Sequence, residues 1–170
     1  MHKFLPAAAL AGLLAAGAAQ AENTYINPTN GFISQAVKVP AGSETLYVSG
    51  LTPEPVAGAP ATAPFGDTKT QAASVFKKIG EALTAQGYVW EDVVMMRVLL
   101  VGDPAKGGGM DFAGMMESYN AVYGSLKNKP ARITSQVAAL VRPGMMVEIE
   151  VQAAKAGMPM KMPMKMPMKK

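Results

Sequence analysis

The chain has 170 residues, with 16 Lys/Arg against 12 Asp/Glu and no cysteine. Its length suits one domain with a real core, and 49% apolar content excludes a disordered chain. The missing cysteines exclude disulfides, thiolate nucleophiles and thiolate metal sites, and 6% aromatic content makes the expected core mainly aliphatic.

Residues 1–21 begin with a short basic start, His2 and Lys3, followed by an Ala/Leu/Gly run and Ala19-Gln20-Ala21. That order predicts a cleaved signal peptide and an exported, periplasmic protein whose mature chain begins at Glu22. The apolar run is short of the roughly 20 residues a membrane span needs, and no transmembrane segment is expected. Cleavage removes the lone histidine, His2. A Ser-His-Asp triad, a Cys-His pair and a conventional zinc site are then excluded. Chemistry falls to carboxylates, Arg, Lys, Tyr, hydroxyls and thioethers.

From Glu22 to Ala154 ten basic residues face all 12 acidic ones, a net of −2. A basic body built for nucleic acid is not expected. The excess positive charge is Lys3 and five lysines from Lys155 onward.

In chain order, residues 33–39 and 45–51 read as two β-strands joined by a hairpin loop at Pro40–Ser43. Residues 52–66 are a Pro-rich rim or lid. Thr68-Lys69-Thr70-Gln71 fits a capping box, and Ala72, Val75, Phe76, Ile79 and Leu83 form one apolar helical stripe that Gly87 ends. Val93–Val101 reads as a central strand buried on both faces. A Gly-rich loop follows at 102–110, without a phosphate-binding fingerprint. Asp111 caps a second helix whose apolar face is Phe112, Met115, Met116, Tyr119, Val122 and Tyr123. Residues 131–140 are a further β-prone stretch, and 145–153 alternate, with Val147, Ile149 and Val151 against Glu148 and Glu150. The expected architecture is α+β, β-β-α-β-α-β-β, with two helices on one face of a sheet.

The tail, residues 155–170, alternates Met158, Met160, Met162, Met164, Met166 and Met168 with Pro and Lys. Proline at every fourth position predicts a solvated, extended, disordered segment. Clustered thioethers also suit Cu(I), and a cationic segment also suits an anionic membrane surface.

In the body, Arg132 opens a mostly apolar strand, and Glu148 and Glu150 are expected on an adjacent strand. An Arg fork can hold a substrate carboxylate, and a nearby Glu can place or deprotonate water. The plainer alternative is a solvated Arg–Glu pair, which spacing alone favours.

Ser34-Gln35-Ala36-Val37, Tyr47-Val48-Ser49-Gly50, Ala85-Gln86-Gly87, Asp92-Val93-Val94, Asp111-Phe112, Tyr119, Pro130-Ala131-Arg132, Gln136–Leu140 and Val147-Glu148-Ile149-Glu150 together resemble the Rid/YjgF family of reactive-intermediate deaminases, also described as endoribonuclease L-PSP. The resemblance covers residues 34–154. It implies a chorismate-mutase-like fold and a homotrimer with clefts between subunits. It also implies hydrolysis of 2-imino and enamine acids to 2-oxo acids and ammonia, without a cofactor. It places the carboxylate grip on Arg132 and the catalytic water beside Glu148, with Gly50, Thr134 and Ile33 lining the pocket. Ile33 stands where many relatives have Tyr, and Thr134 where Cys is frequent. The loops around 57–64 and 102–110 would enlarge the rim. The rival readings are a non-catalytic trimer that binds small carboxylates or a protein partner, and copper handling by the tail.

Overall fold

The computed structural model describes residues 22–29 and 31–155. Six strands and two helices follow in the order β1 (Thr24–Thr29), β2 (Ile33–Lys38), β3 (Glu44–Leu51), α1 (Thr68–Ala85), β4 (Val93–Val101), α2 (Phe112–Tyr123), β5 (Ala131–Val137) and β6 (Val147–Lys155). The mixed sheet runs β1-β2-β5-β4-β6-β3.

Several pairings differ from the sequence reading. Strand β1 is an addition, pairing antiparallel with β2 from Thr24↔Lys38 to Thr29↔Ile33. Its Asn27 and Pro28 hide it from a propensity scan, and Pro is tolerated because β1 is an edge strand. β2 and β3 are not a hairpin, since β3 pairs with β6 at the opposite edge. β5 and β6 are not a hairpin either, because β4 separates them. The reason lies in the connections. A helix between strands favours a parallel crossover, and β4-α2-β5 is such a unit, with Met95↔Ala131 through Val101↔Val137 in parallel register. β6 then enters antiparallel between β4 and β3. β5 ends at Val137, short of Leu140, and β6 extends to Lys155, one residue beyond the expected domain boundary.

Helix α1 starts one residue earlier than the capping-box reading. Asp67 is its N-cap, and its carboxylate accepts the Thr70 N–H at 2.8 Å. Gln71 is not part of a box. Its fully buried amide donates to the carbonyls of Gly66 and Gly144, each at 3.0 Å, and accepts the Met146 N–H at 2.6 Å. Asp111 caps α2 as expected, accepting the Gly114 N–H.

Val75, Phe76, Ile79 and Leu83 of α1 join Met115, Tyr119 and Tyr123 of α2 in a core with Met96, Val98 and Leu100 of β4 and Val147, Ile149 and Val151 of β6. The other face of β4 is only partly covered, with Arg97 exposed and Leu99 half-buried. The expectation of burial on both faces thus fails on the side away from the helices. No helix among the described residues is long and apolar enough to cross a membrane.

Candidate ligand site

Arg132 lies opposite Met96 in the β4–β5 ladder, and Thr134 lies opposite Val98. Residues directly opposite share a face, so both side chains project to the helix side of the sheet. The Arg132 guanidinium carbon sits 4.4 Å from the centre of the Tyr119 ring and 5.8 Å from that of Phe112. Arg132 Nη1 and Thr134 Oγ1 are buried and have no hydrogen-bond partner among the described residues. Burial disfavours the charged guanidinium and lowers its pKa, with the Tyr119 hydroxyl opposing that shift. Among the described residues no carboxylate comes within ion-pair distance of Arg132.

The loops on either side of Arg132 are tied down locally. Ser34 is buried, its N–H donates to the Pro130 carbonyl at 3.0 Å, and its hydroxyl donates to the Lys129 carbonyl at 2.6 Å. Lys129 in turn donates to the carbonyls of Tyr123, the last residue of α2, where cations are favoured, and of Leu126 beyond the helix. Tyr119 is fully buried, and its hydroxyl donates to the Phe32 carbonyl at 2.6 Å, next to Ile33. Ile33 opens β2 and is half-buried. Burial pushes the Tyr119 hydroxyl up to about 12.

Glu148 belongs to the opposite face. It lies opposite Leu99 in the β4–β6 ladder, out of step with the buried Val98 and Met96. Its carboxylate reaches over Gly50, where an added Cβ would stand 2.1 Å from Oε1. The register shift between Val48 and Leu51 marks an irregularity in β3 at this point. Glu150 pairs with Arg97 at 3.1 Å, directly across the ladder. The Arg–Glu pair of the last strand therefore involves Arg97 and not Arg132. Both partners are exposed, so the pair contributes little stability.

One chain thus brings Gly50 together with Glu148, and Arg132 together with Thr134 near Ile33, but holds the two groups on opposite faces of the sheet. The two rim loops do not open onto Arg132 alone. Residues 56–63 and 101–105, with Asp67, Thr70 and 144–146, frame a separate cavity of about 680 Å³. Only the end of the second loop touches the Arg132 row, where Gln136 donates to the Gly108 carbonyl and accepts the Met110 N–H. Sequence reasoning placed Tyr119 and Phe112 in the core stripe and missed their contact with Arg132. Phe112 and Tyr119 are seven residues apart and so share one face of α2, which was the available signal. No group of three His, Cys, Asp or Glu among the described residues could hold a metal. Met158, Met160, Met162, Met164, Met166 and Met168 lie outside the described residues.

The family model described as endoribonuclease L-PSP matches residues 23–155. The chain belongs to the Rid/YjgF family. A RutC family protein of Pyrococcus horikoshii is 35% identical over 123 residues, covering 72% of this chain and 86% of the relative. The Rid-family protein YyfB of Yersinia pestis, described as of unknown function, superposes with a TM-score of 0.60 at 27% identity, covering 77% of this chain and 97% of its own. A YjgF-family structure from Mycobacterium tuberculosis shares the fold at 24% identity, with a TM-score of 0.50 and coverage of 77% and 98%. The mixed sheet with two helices on one face is the Rid/YjgF fold.

Proposed function

We propose that this Rid/YjgF-family protein is exported and hydrolyses 2-imino and enamine acids to 2-oxo acids and ammonia, in clefts between the subunits of a homotrimer. One observation carries the reading. Arg132 Nη1 and Thr134 Oγ1 are buried polar groups on one face with no partner among the described residues. Buried polar groups are otherwise almost always satisfied, so this pair suits a polar ligand. A guanidinium fork fits a carboxylate, and the Thr134 hydroxyl adds a donor beside it.

In the reaction, Arg132 holds the substrate carboxylate and fixes the C=N carbon. Glu148 accepts a proton from water as the oxygen attacks that carbon. The C=N π electrons move to nitrogen, which takes a proton from solvent. Glu148 then returns its proton to the amine, the carbinolamine hydroxyl gives its proton to solvent, and the C–N bond breaks to release ammonia and the 2-oxo acid. The carbon is already electrophilic, so positioning supplies much of the effect, and neither His, Cys nor a cofactor is needed. The opposite faces occupied by Arg132 and Glu148 support assembly. A subunit contributes its anchor to one cleft and its carboxylate to another.

RNA cleavage is disfavoured, because the net charge of −2 from Glu22 to Ala154 opposes phosphate-backbone binding. Ile33 and Thr134, standing where many relatives have Tyr and Cys, favour as a second reading a trimer that only binds small carboxylates or a protein partner. The alternating methionines of the tail support a soft-metal role in addition.

The test uses the mature chain, Glu22–Lys170, and its Arg132→Ala variant. Ammonia release is timed from 2-imino acids generated in situ by an amino-acid oxidase. Acceleration that disappears in Arg132→Ala supports the deaminase. No acceleration over several side-chain sizes leaves the binding reading.

A further inference from the structure

A charge partly taken out of water gains from a partner, and such an Arg ordinarily finds a carboxylate. Arg132, half-buried with its Nη1 enclosed, finds none among the described residues. The groups that face its guanidinium are two rings, Tyr119 at 4.4 Å and Phe112 at 5.8 Å. An aromatic face attracts a cation without using its N–H donors. A carboxylate in the same place would attract it more strongly but would occupy the fork that a substrate needs.

We propose that Tyr119 and Phe112 form an aromatic bracket that takes the place of a counter-ion, so that Arg132 stays charged, held in position and open to an incoming carboxylate. The proposal rests on the reading of Arg132 as the carboxylate anchor. Both rings act through Arg132 and are positioning residues. Their placement is enforced from several sides. Tyr119 is fully buried and stacks on Tyr123 with centroids 4.8 Å apart and planes 20° apart. Its edge-on neighbour is Phe76, at 6.2 Å. Its hydroxyl donates to the carbonyl of Phe32, the residue before β2. Phe112 is the first residue of α2, directly after the Asp111 cap, and is 42% exposed. The bracket therefore has one jaw buried in the core and one at the surface.

The surface jaw gives a sharp test. Phe112→Glu brings a carboxylate to within reach of the guanidinium, at a helix N-terminus where an acidic residue is favourable. The variant should fold as well as the parent and yet block its own anchor. The probes are pyruvate and its uncharged analogue pyruvamide, with binding measured by calorimetry on the mature protein.

The parent is expected to prefer pyruvate by roughly tenfold or more, the range of a charge-assisted pair. Arg132→Ala should abolish that preference. Phe112→Glu should abolish it as well, by weakening pyruvate and sparing pyruvamide. Tyr119→Phe keeps the ring and should keep most of the preference, whereas Tyr119→Leu should lose most of it. A merely structural defect would weaken both probes alike. If Tyr119→Leu does not fold, Phe112→Glu and Phe112→Leu carry the test, the latter with a partial loss. If Arg132→Ala abolishes the preference while Phe112→Glu and Tyr119→Leu retain it, the bracket is refuted and the anchor stands. If the parent shows no preference, the anchor fails and the bracket with it.

Discussion

Gly50→Ala separates catalytic positioning from stability in one substitution. The added methyl would stand 2.1 Å from Glu148 Oε1 and 3.0 Å from its Cδ. Carbon and oxygen settle at about 3.3 Å or more, so the carboxylate must retreat by more than about 1 Å. The obstructing atoms are the far end of a flexible chain, and Gly50 does not hold a positive φ. The backbone therefore need not move. Replacing a strand glycine also stabilises by roughly 0.5–1 kcal/mol through backbone entropy. Stability should be unchanged or slightly higher. A displacement of about 1 Å in a catalytic group costs on the order of 100-fold in rate. We expect kcat for 2-imino acid hydrolysis to fall by about that factor. KM should change less than kcat, because the new methyl meets only Glu148 atoms and not the Arg132 guanidinium that grips the carboxylate. The assay is ammonia release beside a thermal melt. Gly50→Ala combined with Glu148→Ala should be no worse than Glu148→Ala alone, since both act on one carboxylate. A folded Gly50→Ala with parental kcat would refute the claim that Glu148 places the water from this position.

Gln71→Leu should cost about 2–4 kcal/mol in chemical denaturation, because it leaves the Met146 N–H and the carbonyls of Gly66 and Gly144 without their buried partner; a loss below about 1 kcal/mol would show that water replaces the amide. Alkaline stability should fall between pH 10 and about 12, since burial raises both Tyr25 and Tyr119 to about 12. Their protonated forms are favoured in the fold, so that stability is intact below pH 10 and is lost as pH rises through the folded values. Tyr119→Phe should make this decline shallower by about one proton, read from denaturation curves against pH. Deleting residues 156–170 should remove Cu(I) binding measured against a competing chelator, while leaving pyruvate affinity unchanged; unchanged Cu(I) affinity would end the thioether reading.

The elements that were legible carried strong local periodicity. The stripe from Ala72 to Leu83 and the alternation from Val147 to Val151 each state which face is buried before any partner is known. The order of strands was not legible, because β6 finds β3 and β4 across long sequence separations that no local pattern records. Arg132 and Glu148 were expected on adjacent strands of one chain, whereas β4 lies between β5 and β6 and its alternation puts the two side chains on opposite faces. Strand β1 was lost to Asn27 and Pro28, which oppose strand formation except at an edge. The cap of α1 shifted to Asp67 because Gln71 is used in the core. Tyr119 was visible as a core residue, but an aromatic at helical spacing looks the same whether its face covers Leu or a guanidinium.

The position of β6 also bears on how this chain is made. The last strand in sequence is an inner strand of the sheet, between β4 and β3, and it supplies Val147, Ile149 and Val151 to the core. Until it has left the ribosome, β3 has no hydrogen-bonded neighbour in the sheet and the two helices lack much of the surface they pack on. The contacts that close the fold are long-range ones, which form late and slowly. The sheet of this design closes only when its last strand has been made, so the chain's final residues complete the core as well as an inner strand.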